Sequence, residues 1–131
     1  MEKIERWIII PDPQIPYEDK RSFAAAEKYM GAHKWDGWLC LGDFLDLDAL
    51  SRFNEGRPGA VSADVAGSFE AGREILLRHA RILRRNNPEC RMVLLQGNHD
   101  YRAVSWAEKF PKMKAQLDVP TNLGLDRKSV V

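Results

Sequence analysis

The chain has 131 residues, 44% of them apolar, and a formal net charge of +1 from 20 basic and 19 acidic side chains. That length suits one domain with its own core, and the near-balance of charge excludes a general electrostatic pull toward nucleic acid or anionic membrane, so any grip on phosphate has to be local. No apolar run approaches the roughly 18 residues of a membrane span, and "MEKIERWIII" lacks a signal peptide's long apolar core, so no membrane partner and a cytoplasmic location are expected.

The first predicted strand is "RWIII", Arg6 to Ile10, a continuous apolar run of the kind shown by a strand covered on both faces. It stops at Pro11. A helix is expected from Asp19 to Met30, with Phe23, Ala26, Glu27 and Met30 on one largely apolar stripe and Gly31 beyond as a stop signal. "WDGWLCLGD" then gives a second strand, Trp38 to Leu41, that runs out in Gly42 and Asp43. "FLDLDALSRFN" has the pattern of a short helix with Asp46 or Asp48 as its cap, and "NEGRPGA" that of a surface loop.

From Ser62 to Asn86 the apolar positions Val65, Phe69, Ile75, Leu76, Ile82 and Leu83 keep a helical period, with Ser62 as cap and Pro88 past the end. "RMVLLQGN" supplies a third strand, Arg91 to Leu95, and weaker helical segments follow at Ser105 to Phe110 and Lys112 to Leu117. Strands alternating with helices imply crossover units and hence a mostly parallel sheet with flanking helices, an α/β fold. The carboxyl ends of parallel strands share one edge, where such sheets bind ligands.

That edge gathers Asp12 and Gln14 from "PDPQ", Asp43 and Asp46 from "GDFLD", and Asn98, His99 and Asp100 from "GNHD". Carboxylates, amides and an imidazole together are the donors that hard divalent and borderline transition metals favour. Two carboxylates brought together without a cation would repel each other and be costly to desolvate. Helix capping would explain Asp43 or Asp46 singly; it does not require the Gly-Asn-His-Asp order or a third acid-bearing turn at the same edge.

The order D-x-Q, G-D-x-x-D, G-N-H-D, each after a strand, resembles the first half of the calcineurin-like metallophosphoesterases, and "LGDFLDLDALSRFN" is similar to phage-encoded members in particular. The resemblance covers residues 6 to 101. It implies the first half of a four-layer α/β sandwich and hydrolysis of a phosphomonoester or phosphodiester, with nucleotides or nucleic acid as reasonable substrates. Host cytoplasm would be the location of a phage-encoded chain. It also implies a cofactor of two divalent ions, with Mn²⁺ ahead of Mg²⁺, Fe²⁺ and Zn²⁺. Asp12 and Gln14 would ligate the first ion, Asp43 would bridge, and Asn98 would ligate the second. His99 would protonate the leaving oxygen, a task its near-neutral pKa suits. Asp100 would hold the His99 ring, and Asp46 would stand behind the ligands or cap a helix.

Two departures from the family pattern matter. Gln14 stands where most members have histidine, and a carbonyl oxygen suits Mn²⁺ or Mg²⁺ better than zinc. The pattern also continues into further metal-binding histidines after G-N-H-D, whereas no histidine follows His99. The chain is therefore expected to be an amino-terminal half, associating with copies of itself or with a missing carboxyl-terminal half. The alternative is a non-enzymatic module that binds at most one metal weakly and works by association.

Other residues take plainer readings. His79 falls on the apolar stripe of the long helix and reads as packed, while His33 suits a helix carboxyl end. Arg78, Arg81, Arg84 and Arg85 read as a solvated helix face, Cys40 and Cys90 as buried free thiols, and the four tryptophans as packing groups. Arg52, shortly after Asp43, is a candidate for binding a substrate phosphate.

Overall fold

The computed structural model describes residues 2–51 and 58–125, without the side chains of 58–63. Three strands, β1 (Trp7–Ile10), β2 (Gly37–Cys40) and β3 (Arg91–Leu94), form one parallel sheet in the order β1-β2-β3. Helix α1 (Lys20–Ala32) crosses from β1 to β2, and α2 (Pro58–Asn86) lies between β2 and β3. After β3 come α3 (Asn98–Lys109), a 3₁₀ turn, and two short helices, α4 (Lys114–Leu117) and α5 (Val119–Leu123). The α/β fold with a parallel sheet and flanking helices is as the pattern predicts.

Local chemistry sets the boundaries. Asp19 caps α1, its carboxylate accepting from the Ser22 backbone N–H at 2.7 Å, and His33 closes the far end. β2 starts at Gly37, one residue before the expected Trp38, because Gly37 already pairs with Trp7 of β1, whose ring lies where a Gly37 Cβ would be. Helix α2 begins at Pro58, a residue suited to a first turn, so Ser62 lies inside the helix rather than capping it.

The expected helix in "FLDLDALSRFN" shrinks to a 3₁₀ turn at Asp48–Leu50, capped by neither Asp46 nor Asp48; its flanking residue Leu47 carries no side-chain cap. The reason is that residues before the turn are already paired across to the first loop: Ile15 N–H donates to Phe44 O, and Asp46 N–H to Ile15 O, both at 2.9 Å.

The core lies on one face of the sheet. Ile10, Trp38, Cys40 and Leu94 point into it with Met30 of α1 and Val65, Phe69, Ile75, Leu76 and Leu83 of α2. Ile9, of opposite parity, is 52% exposed, and Leu39 and Val93 beside it are outside the buried cluster. The apolar run of β1 suggests cover on both faces; among the described residues the second face is not covered. Strands laid down in sequential order with right-handed crossovers send both connections over the same side, which accounts for it. Both cysteines are buried free thiols, as expected. No described helix is long and apolar enough to cross a membrane.

Candidate active site

The strand register brings Ile10, Cys40 and Leu94 level, so the three strands end together. Hydrogen bonding then continues past the strands. Leu41 N–H donates to Ile10 O at 3.1 Å and Leu95 N–H to Cys40 O at 2.9 Å, and Gln14 N–H reaches Asp43 O at 2.9 Å. The loops carrying Asp12 and Gln14, Asp43, and Asn98 are thus stitched side by side at one edge, as the topology predicts.

Backbone conformation singles out the same residues. Among the described non-glycine residues, left-handed φ occurs at Asp12 (41°), Gln14 (49°), Asp43 (49°) and Leu47 (52°). Such a conformation is uncommon outside glycine and costs about 1–3 kcal/mol when imposed on other residues, though Asp and Asn tolerate it better. Three of these four positions carry the oxygen donors expected at the first two strand ends. Gly42 (φ 104°) completes the turn, in a conformation that L side chains rarely adopt, and packs against the Gly97 backbone.

Helix α3 begins at Asn98, directly at the "GNHD" motif, rather than at the expected Ser105. Gly97 caps it, and Asp100 at the third helical position reaches back to the Gly97 N–H at 2.9 Å. His99 N–H donates to Asp43 Oδ1 at 2.9 Å, so a backbone donor at the helix start grips the carboxylate at the end of β2. That contact uses one lone pair of a carboxylate, leaving the others open to a cation.

Asp100 does not hold the His99 ring, contrary to expectation. Neighbouring residues on a helix project about 100° apart and do not face each other. Asp100 instead turns inward, where it is 1% exposed and accepts from Leu45 N–H at 2.9 Å, Phe44 N–H at 3.3 Å and Gly97 N–H. Burial pushes its pKa up, opposed by those backbone donors, with the Asp43 charge adding to the rise. Its carboxylate ties the second loop to the third.

Asp46 takes the role given to Asp100. His99 Nδ1 lies 3.0 Å from the Asp46 carbonyl oxygen and 3.4 Å from its Oδ2. A carbonyl can only accept, so Nδ1 carries the proton and Nε2 is the nitrogen left for other work. Arg102, one turn further along α3 and not singled out by the sequence reading, donates to the same Asp46 carbonyl at 3.1 Å and lies 4.0 Å from its Oδ1. The signal for it was the three-residue spacing from His99, which puts both on one helix face.

Asp12 and Asn98 are exposed, Gln14 and Asp43 half-buried. The donors at the edge are two carboxylates and two amides; among the described residues no group of three or more His, Cys, Asp or Glu side chains is placed to hold a metal. Burial pushes the Cys40 thiol up to about 12, with the Asp100, Asp12 and Asp43 charges adding to it, so this sulfur beneath the edge is an inert thiol. Arg52 lies outside the described residues.

Fold and edge together define an α/β protein with a polar, oxygen-rich site at the carboxyl ends of its strands. The chain is similar to the Gene 54 protein of Mycobacterium phage L5 and to the Gene 54 protein of Mycobacterium phage D29, 26% identical to each over 106 residues, which is 81% of this chain. It spans about 40% of the length of these curated relatives. No family model matches the chain, and no solved structure does.

Proposed function

We propose that this sheet edge binds divalent metal and hydrolyses a phosphomonoester or phosphodiester, as the motif resemblance implies. The observation that carries the reading is the left-handed backbone at Asp12, Gln14 and Asp43. Strain concentrated on adjoining oxygen donors is what a site shaped for a ligand, rather than for stability, exhibits. The donor set fits a hard cation: two carboxylates supply charge, and the amide oxygens of Gln14 and Asn98 complete an oxygen shell that favours Mn²⁺ or Mg²⁺ over zinc. Asp12 and Gln14 would hold one ion, Asn98 a second, and Asp43 both. Bound there, such ions supply Lewis acidity toward a phosphoryl oxygen and acidify water.

The chain's own residues do the rest. Asp100 fixes the second and third loops relative to each other, so the donors stay in place when charge changes at the edge. Asp46 holds the His99 ring by Nδ1–H, so that a second proton taken up at Nε2 is the one the imidazolium gives to the leaving oxygen, returning to the neutral Nδ1–H ring. Nucleotides or nucleic acid are the proposed substrates, and the domain is proposed as the first part of a metallophosphoesterase sandwich. The test is hydrolysis of a bis-aryl phosphate with added Mn²⁺: the wild-type chain is expected to turn over and His99→Ala to lose about 10²–10⁴-fold in rate. Equal rates in the two proteins would refute the reading.

A second reading draws on the half-exposed Ile9 and Leu41, which leave apolar surface open on the uncovered sheet face and beside it. In it the chain is a non-enzymatic module acting by association through that face. A wild-type chain without hydrolysis whose mass by light scattering rises with concentration would favour it.

A further inference from the structure

We infer that Arg102 is a positioning residue for His99, acting through the backbone of Asp46; the inference rests on the reading of His99 as the proton donor. Two donors converge on one oxygen: Arg102 Nη1 at 3.1 Å and His99 Nδ1 at 3.0 Å from the Asp46 carbonyl. The peptide that presents this oxygen is flanked by Leu47, whose φ of 52° is the fourth left-handed non-glycine conformation among the described residues. A buried leucine does not settle there unaided, because its side chain gains nothing local that offsets the backbone cost.

What holds the strained peptide is visible on each side. Asp46 N–H is tied to Ile15 O at 2.9 Å, and Leu45 N–H to Asp100 Oδ1 at 2.9 Å, which fixes the amino-terminal side. On the carbonyl side the bonds come from α3, from Arg102 and His99. A cationic donor makes the stronger bond of the pair. The Arg102 side chain is 28% exposed and that of Asp46 13%, so the contact is partly shielded from water. Arg102 thus keeps the carbonyl aimed at α3, and the aimed carbonyl keeps His99 in its Nδ1–H form. A ring released from it would divide between two tautomers and lose its fixed orientation, so that a proton taken up at Nε2 would no longer be held in line with the leaving oxygen.

The test compares wild type with Arg102→Ala, with and without added guanidinium ion, by two readouts. The first is the nitrogen NMR signature of the His99 ring in the metal-free chain, which reports the tautomer without reference to turnover. The second is steady-state hydrolysis of a bis-aryl phosphate with Mn²⁺. The inference expects a single Nδ1–H form in the wild type and mixed tautomers in Arg102→Ala. It also expects kcat lowered about 10–100-fold with KM unchanged, and both effects reversed by guanidinium. An unchanged ring signature in Arg102→Ala overturns it, and so does a loss that guanidinium does not restore, which marks a merely structural role. Absence of hydrolysis in the wild type would refute the phosphoesterase reading while the ring signature still decides on Arg102.

Discussion

Gly97 lacks a side chain because Asp43 stands in its place: a Cβ at Gly97 would lie 2.1 Å from Asp43 Oδ1 and 2.3 Å from the Asp43 backbone nitrogen. The glycine that ends the third strand is therefore a spacer for the carboxylate that ends the second. Gly97→Ala is predicted to force the two loops apart, destabilising the fold by about 1–3 kcal/mol as overpacking does. Mn²⁺ affinity should fall with it. Chemical denaturation and a metal titration on the same preparation check both.

Asp12 and Asp100 are predicted to behave oppositely on truncation. Asp100→Ala leaves the Phe44, Leu45 and Gly97 N–H groups without their acceptor in a buried place, at about 1–3 kcal/mol for each such group. Asp12→Gly removes an exposed carboxylate at a left-handed position that glycine adopts freely and should cost no more than about 0.5 kcal/mol of stability, while abolishing metal binding. Urea unfolding of the two variants distinguishes a scaffold residue from a ligand.

His79 supplies a pH dependence away from the site. Its ring is 1% exposed, between Phe23 of α1 and Trp38 of β2, with Nε2 at 3.1 Å from Glu27 Oε1. Burial pushes its pKa below the ordinary 6.5; Glu27 on α1 pulls up, and Arg78 on its own helix pushes down. Above 6.5 the ring is neutral folded or unfolded. Below it the unfolded ring takes a proton that the folded one resists, so stability falls from 6.5 down to the folded pKa and levels off beneath it. The unfolding free energy is predicted to decline as pH drops below about 6.5, and His79→Phe to flatten that part of the decline.

The convergence of three strand ends was legible because each strand is a short apolar run closed by Pro or Gly, and parallel topology does the rest. Asp12, Gln14, Asp43 and His99 could be placed at one edge on that ground alone. The inner wiring was not legible. The "GNHD" motif reads as a turn, but it is a helix start, and only the helical geometry reveals that Asp100 turns away from His99 into the backbone of the second loop. In the same way "FLDLDALSRFN" has a helical pattern that local preference alone would honour. Pairing of Ile15 with Phe44 and Asp46 overrides it, and that long-range bond leaves no mark in the segment itself. Arg102 was passed over because its partner is a backbone carbonyl, which no side-chain pattern encodes.

The most direct test of the central claim, that the three strand ends form one cation site, is Mn²⁺ binding followed by electron paramagnetic resonance in the wild type and in Asp43→Asn. The account predicts saturable binding in the wild type and at least about a tenfold loss of affinity in the variant, because Asp43 joins the other two loops, its carbonyl accepting from Gln14 N–H and its carboxylate from His99 N–H. Undiminished binding in Asp43→Asn, or none in the wild type at millimolar metal, would contradict it.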